Sequence, residues 1–268
     1  MSRNVHYTTQ NIAEAYSQLG VQAGDVLYLT GNFGNLGFHE SQNKKGTLQA
    51  HLKAIRAVIG DAGTLAVPTH SFSLCNTDSP FDVVATPSER GPFTEYIRQI
   101  PGTVRQLHPF ASITALGAAA EEICSNTARH AYGPNTPFHR LLQQDAWFIS
   151  VSMPPERTCS IVHHVEQAMA VPYRYTKEFL HPIQRGDNIT IEPFYLYVTY
   201  RDVDLVRDRN EKIFQHPLLR DHVKKIPLGL GHLWAYRLRI FEQAARDALT
   251  QDIYAWLRQP PVKRPYQR

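Results

Sequence analysis

Apolar positions along the chain recur with two different periods, and their alternation predicts a layered α/β domain. Residues 8–20 place Ile12, Ala13, Ala15, Tyr16 and Leu19 at helical spacing and stop at Gly20. Gly24-Asp25 then opens the unbroken run Val26-Leu27-Tyr28-Leu29, the pattern of a buried strand. Gly31, Gly34 and Gly37 follow in a loop, and helical spacing returns over 48–59. Gly63-Thr64-Leu65-Ala66-Val67-Pro68 reads as a second buried strand. Strand, loop, helix, strand is the order of an α/β fold, here a layered mixed sheet flanked by helices.

Downstream, residues 70–92 are rich in Ser, Thr, Pro and Asp and read as a long loop, a kind of segment that usually serves function. Short elements are expected next: a helix over 93–100, a strand over 112–116, a helix over 121–130 and a buried strand over 147–151. Residues 160–170 have helical character closed by Val171-Pro172. From 189 to 206 the pattern turns to β-branched and aromatic alternation, expected as a strand pair or meander. Residues 234–257 read as one amphipathic helix with Leu238, Phe241, Ala245, Ala248 and Trp256 on its inner face.

Composition narrows the class. The 268 residues suffice for one large domain, expected here as a single unit over 1–268 with 181–233 as a distinct region shaping the acceptor site. Lys and Arg number 28 against 24 Asp and Glu, a formal charge of +4 that suits a small anionic ligand. No dense basic stripe with interleaved aromatics marks a nucleic-acid binder, and the Lys263-Arg264-Pro265-Tyr266-Gln267-Arg268 tail reads as a solvated end. No apolar run reaches the ~18–20 residues of a membrane span, and Met1-Ser2-Arg3-Asn4-Val5-His6 has no hydrophobic signal core. Cys75, Cys124 and Cys159 are few, odd in number and widely spaced, which favours free thiols and a cytoplasmic protein.

The chemistry concentrates in Ser160-Ile161-Val162-His163-His164-Val165-Glu166. On a helix His163 and Glu166 are i and i+3 and share a face, while His164 points elsewhere. A carboxylate beside an imidazole fixes its tautomer and raises its basicity, as a general base requires. Spacing alone equally allows an ordinary helix pair. Zinc held by Cys159, His163 and Glu166 lacks the second ligand pair that zinc motifs carry, so no metal is expected. A Cys159 nucleophile would need a depressed thiol pKa. The loop Gly31-Asn32-Phe33-Gly34-Asn35-Leu36-Gly37 follows a strand as phosphate loops do, without the ending of a P-loop. His108, followed by Pro109, reads as a turn or extended residue.

An ordered series of segments resembles the aminoglycoside 3-N-acetyltransferase family. It begins with Gly24-Asp25-Val26-Leu27 and its glycine loop, then Gly63 through Thr69, Phe81-Asp82 and Thr86-Pro87-Ser88-Glu89-Arg90-Gly91. Pro101-Gly102, Arg105 through Pro109, Ser112 and Thr136-Pro137-Phe138 follow, and the series ends with Ser160 through Glu166 and Val171-Pro172-Tyr173-Arg174. The likeness spans roughly residues 11–180. It implies the antibiotic N-acetyltransferase fold, acetyl-CoA as donor, and direct attack of a substrate amine on the thioester. It also implies His163 as general base, Glu166 as the acid that orients it, and Ser160 as the third member of the segment. Gly31, Asn32, Phe33, Ser88 and Gly91 are implied to line the CoA site, with His108 and Ser112 beside the same cleft. Thr69, His70, Tyr173 and Arg174 are implied on the substrate side.

This chain departs from the family at Leu29-Thr30-Gly31-Asn32, where relatives have a His-Ser-Ser type sequence, and so its hydroxyl contacts to CoA differ. Net positive charge, with Arg174 as the leading candidate contact, favours an amino sugar that carries an anion, such as a nucleotide-linked one. A true aminoglycoside acceptor, with antibiotic resistance as the role, is the alternative. A CoA thioester hydrolase and a non-catalytic CoA-binding module are rivals of other classes. A homodimer is compatible with the reading.

Overall fold

The structure, a computed structural model, describes residues 4–206, 211–264 and 266. Met1, Ser2 and Arg3, and Pro265, Gln267 and Arg268 of the basic tail, lie outside the described residues.

Helix α1 (Thr9–Leu19) starts at a reciprocal cap in which Thr8 and Asn11 bond each other's backbone N–H, and it ends at Gly20 in the left-handed region. Strand β1 (Val26–Gly31) and helix α2 (Lys44–Ile59) follow, the helix starting four residues earlier than its apolar spacing predicts because Asn43 caps it. Next come β2 (Thr64–Pro68), the two-residue β3 (Phe81–Asp82), α3 (Pro92–Arg98), β4 (Val104–Arg105) and β5 (Ile113–Gly117). Helices α4 (Ala120–Cys124) and α5 (Pro137–Gln143) lead to β6 (Trp147–Val151) and α6 (Val162–Ala168). A long hairpin, β7 (Arg174–Arg185) and β8 (Asn188–Thr199), is followed by α7 (Glu211–Phe214), α8 (Pro217–Arg220), β9 (Lys224–Leu228), β10 (Gly231–Arg237) and α9 (Leu238–Gln251). Among the described residues no helix is long and apolar enough to cross a membrane.

Seven strands form one mixed sheet in the order β4-β5-β2-β1-β6-β10-β9, and β3-β7-β8 form a second. Strand β1 is parallel to both β2 and β6, and the outer pairings are antiparallel. Alternate residues of the central strands feed two cores. Leu27, Leu29, Leu65, Val67 and Ile149 pack toward α1, α2 and α3. Tyr28, Ala66, Phe148 and Tyr236 pack on the opposite face with residues of α5, α6 and α9. Both faces are covered, which is why β1, β2 and β6 read as unbroken apolar runs.

Three expectations are corrected. The helix expected over 121–130 stops at Cys124, and Asn126 takes a positive φ of 50° two residues later. The strand pair expected within 189–206 is one strand, β8, whose partner is β7. The expected helix over 234–257 is a strand and then a helix: Trp234 to Arg237 pair with β6, and α9 begins at Leu238. Leu238, Phe241 and Ala245 are buried as expected, whereas Trp256 is buried beyond the end of the helix.

Candidate active site

The chain leaves β1 for β2 on one side, while β6 lies on the other, so the strand order reverses between β1 and β6. Crevices outside the carboxyl ends of strands at such a point are where open α/β sheets bind ligands. Two clefts open there, and Arg90 lines both.

The larger, about 700 Å³, runs past Gly31, Asn32 and Phe33 at the end of β1. Gly31 has φ 125°, and a Cβ on it would stand 2.2 Å from the Val151 carbonyl oxygen, so only glycine lets β1 approach β6 here. Asn32 Oδ1 accepts the Gly34 N–H at 3.0 Å, which shapes the turn. Phe33 stacks on Phe93 at 4.3 Å between centroids and gives the groove an apolar wall. Gly91 (φ 107°), Lys44 and the first turn of α2 complete it. A lysine, an arginine and the N–H groups at a helix start suit anionic oxygens.

The smaller cleft, about 460 Å³, holds Ser160, His163 and Glu166. His163 Nδ1 is 2.7 Å from Glu166 Oε2, so its Nδ1–H donates to the carboxylate and Nε2 is the basic nitrogen. The His163 side chain is 24% exposed and the Glu166 side chain 3%, so the imidazole meets the cleft and its carboxylate partner lies behind it. Arg174 Nε sits 2.8 Å from the same Oε2, and the Tyr173 hydroxyl donates to Oε1 at 3.1 Å. Arg174 Nη1 also donates to the Tyr197 carbonyl at 3.0 Å. Tyr132 packs edge-on against the His163 ring at 5.4 Å. Ser160 precedes α6, and its carbonyl accepts the His163 N–H at 3.2 Å.

Arg174 and Tyr173, expected on the substrate side, hold Glu166, and Arg174 also lines the smaller cleft. Ser88 is also engaged locally: its N–H donates to Glu95 at 2.7 Å and its hydroxyl pairs with Thr94 at 2.9 Å. His108 and Ser112, expected beside the CoA cleft, line neither opening. His108 is buried against Phe194, its Nδ1 accepting the Phe110 and Ala111 N–H groups. Ser112, Thr69 and Thr114 form a buried hydroxyl cluster braced by Arg105. His70 is buried without a hydrogen-bond partner among the described residues for either ring nitrogen, and burial beside Arg90 pushes its pKa down to about 3.

Cys159 lines the smaller cleft, but its buried thiol is pushed up to about 12 by desolvation, far from the thiolate a nucleophile needs. Among the described residues no group of three or more His, Cys, Asp or Glu side chains is placed to hold a metal ion. Arg90, Arg157 and Trp256 of the smaller cleft escaped sequence reasoning as site residues. Arg90 had a signal, since it stands inside Ser88-Glu89-Arg90-Gly91; Trp256 comes from far along the chain and had none.

A sheet with ligand crevices at its strand-order reversal, and a buried carboxylate behind a partly exposed histidine, define an α/β enzyme equipped for proton abstraction. The profile of the aminoglycoside 3-N-acetyltransferase family matches residues 35–250, and the chain belongs to that family of acetyl-CoA-dependent N-acyltransferases. It is 25% identical over 269 residues to aminoglycoside N(3)-acetyltransferase IX of Micromonospora chalcea, covering 92% of this chain and 83% of that protein. The fold is similar to aminoglycoside acetyltransferase AAC(3)-Xa, with TM-score 0.79, 19% identity and 94% of each chain covered. It is equally similar to AAC-IIIb in a binary complex with CoASH, with TM-score 0.79, 19% identity, and 91% of this chain and 96% of that one covered.

Proposed function

We propose that the protein transfers an acetyl group from acetyl-CoA to an amine of an aminoglycoside-type amino sugar, with His163 as general base. The observation that carries this reading is the meeting of two clefts at Arg90, one suited to an anionic, partly apolar donor and one holding the His163–Glu166 pair. The donor's phosphates would meet Lys44, Arg90 and the start of α2, and its pantetheine would run along Phe33 and Phe93 toward the smaller cleft.

The amine attacks the thioester carbonyl, and His163 Nε2 takes the proton the nitrogen gives up. Glu166 stabilises the imidazolium that forms, while Arg174 and Tyr173 keep the carboxylate aimed at Nδ1. Collapse of the tetrahedral intermediate breaks the C–S bond, and the departing sulfur receives a proton from His163. No acyl-enzyme is required.

Family membership supports an aminoglycoside over the nucleotide-linked sugar that net charge favoured. One observation keeps an anionic amino sugar as a second reading: Arg90 and Arg157 line the cleft of the base, where Glu156 is the carboxylate besides the engaged Glu166. Free-thiol release from acetyl-CoA, measured against aminoglycosides and phosphorylated amino sugars, tests both. Thiol release without any amine would instead establish a hydrolase, and failure to bind CoA would overturn the reading.

A further inference from the structure

Helix α6 carries two adjacent histidines that face different spaces. His163 meets the cleft described above, whereas His164 lines a separate recess of about 620 Å³ walled by α5, α6 and α9. His164 Nδ1 accepts the Gly133 N–H at 3.2 Å, and His139 Nδ1 accepts the Asn135 N–H at 3.1 Å. A ring whose Nδ1 accepts holds its proton on Nε2 when neutral, so both rings have an Nε2–H donor. The two rings are nearly parallel, 13° apart with centroids at 6.3 Å, and both residues line the recess from adjacent walls, α5 and α6. The His164 residue is itself buried, at 5% exposure.

The third wall is cationic. Arg239 is anchored on the rim, with Nε donating to the Leu142 carbonyl at 3.0 Å and Nη2 to the Gln143 carbonyl. Arg246 lines the recess, its Nη1 against Met169 Sδ at 3.6 Å and its guanidinium on Glu242 at 2.9 Å. Among the described lining residues Glu242 is the one acid, and Arg246 already neutralises it. Two arginines against one carboxylate leave the recess positive.

We propose that this recess is a second ligand site, distinct from the two clefts, which binds the oxyanion group of a small molecule through the Nε2–H donors of His164 and His139 and the charge of Arg246 and Arg239. Burial, helped by His139 and Arg246, lowers the His164 pKa to about 4, so the ring is a neutral donor at neutral pH. Phosphate and carboxylate share the required chemistry, and size leaves room for an organic body behind either group.

Long-range 1H–15N spectra of the histidine rings in the intact protein, titrated with inorganic phosphate and separately with acetate under saturating CoA, test the site. The expected result is an Nε2–H signature for His139 and His164 and a saturable shift of both, with the tighter of the two anions identifying the group. His164→Asn keeps an acceptor for Gly133 while removing the Nε2 donor, and Arg246→Met removes charge; each should weaken binding at least tenfold. Shifts that do not saturate with either anion, or that survive in both variants, would overturn the proposal. If His164→Asn fails to fold, the wild-type titration and Arg246→Met still decide it.

Discussion

Arg174 reaches Glu166 from the first residue of β7, its Nε 2.8 Å from the oxygen that also receives the His163 Nδ1–H. Removing Arg174 would leave a buried carboxylate without its cationic partner from β7, so on the proposed mechanism this arginine is a positioning residue that acts through Glu166. His163→Ala is expected to lower kcat by about 10²–10⁴, the usual worth of general-base assistance. Glu166→Gln should cost less. Arg174→Met should lower kcat with little change in KM for acetyl-CoA, and its effect should shrink sharply in the Glu166→Gln background, because the two act through one contact. Full activity of His163→Ala would refute the mechanism; additive losses for Arg174 and Glu166 would refute the positioning role.

Cys159 discriminates direct transfer from a covalent relay. Its thiol receives the Tyr236 hydroxyl as a hydrogen-bond donor at 3.2 Å and sits in the core at 4% exposure. Cys159→Ser should therefore leave turnover nearly intact. Intact-mass measurement after acetyl-CoA alone should find the unmodified protein, and a stable acetyl adduct on Cys159 would establish ping-pong chemistry instead.

What the sequence made legible follows its periodicity. Strands β1, β2 and β6 are short apolar runs bounded by glycine, proline or polar residues, and His163 and Glu166 face one another because they are one helical turn apart. Strand β10 was merged into α9 because Trp234, Ala235, Tyr236 and Leu238 satisfy either period and Arg237 offers no side-chain cap at the boundary. Strand β7 was missed because its solvent-facing charged residues and Pro182 break up the apolar signal. The grip of Arg174 and Tyr173 on Glu166 depends on where β7 packs against α6, a tertiary fact that local spacing does not encode.

Acid should destabilise the protein through its buried histidines. Desolvation holds His51, His70 and His108 each at about 3, against an unfolded value near 6.5. Above pH ~6.5 both states are neutral at these rings and stability is flat with respect to them. As pH falls toward 3 the unfolded chain takes up protons that the folded chain refuses, so stability declines by up to about 1.4 kcal/mol per pH unit for each histidine. Among the described residues His70 has no hydrogen-bond partner at either nitrogen, so His70→Phe should make the fall of Tm between pH 6 and 4 shallower without lowering Tm at pH 7.5. An unchanged pH slope would show that His70 protonates freely in the folded state.

The charge of the acceptor can be read through Arg157, which is exposed and lines the cleft of His163 but not the groove along Phe33 and Phe93. A polycationic aminoglycoside entering this cleft is repelled by that guanidinium, whereas a phosphorylated amino sugar is attracted to it. Arg157→Gln should therefore lower KM for an aminoglycoside and raise it for a phosphorylated amino sugar, by roughly two- to fivefold for a screened, exposed charge. Added salt should act in the same two directions, since it weakens both forces. The wild-type ratio of kcat/KM between the two acceptors then decides the natural class: a ratio favouring the aminoglycoside supports the first reading, and its reversal supports the anionic sugar. Identical responses of both acceptors to Arg157→Gln and to salt would show that the lining charge does not reach the bound acceptor at all.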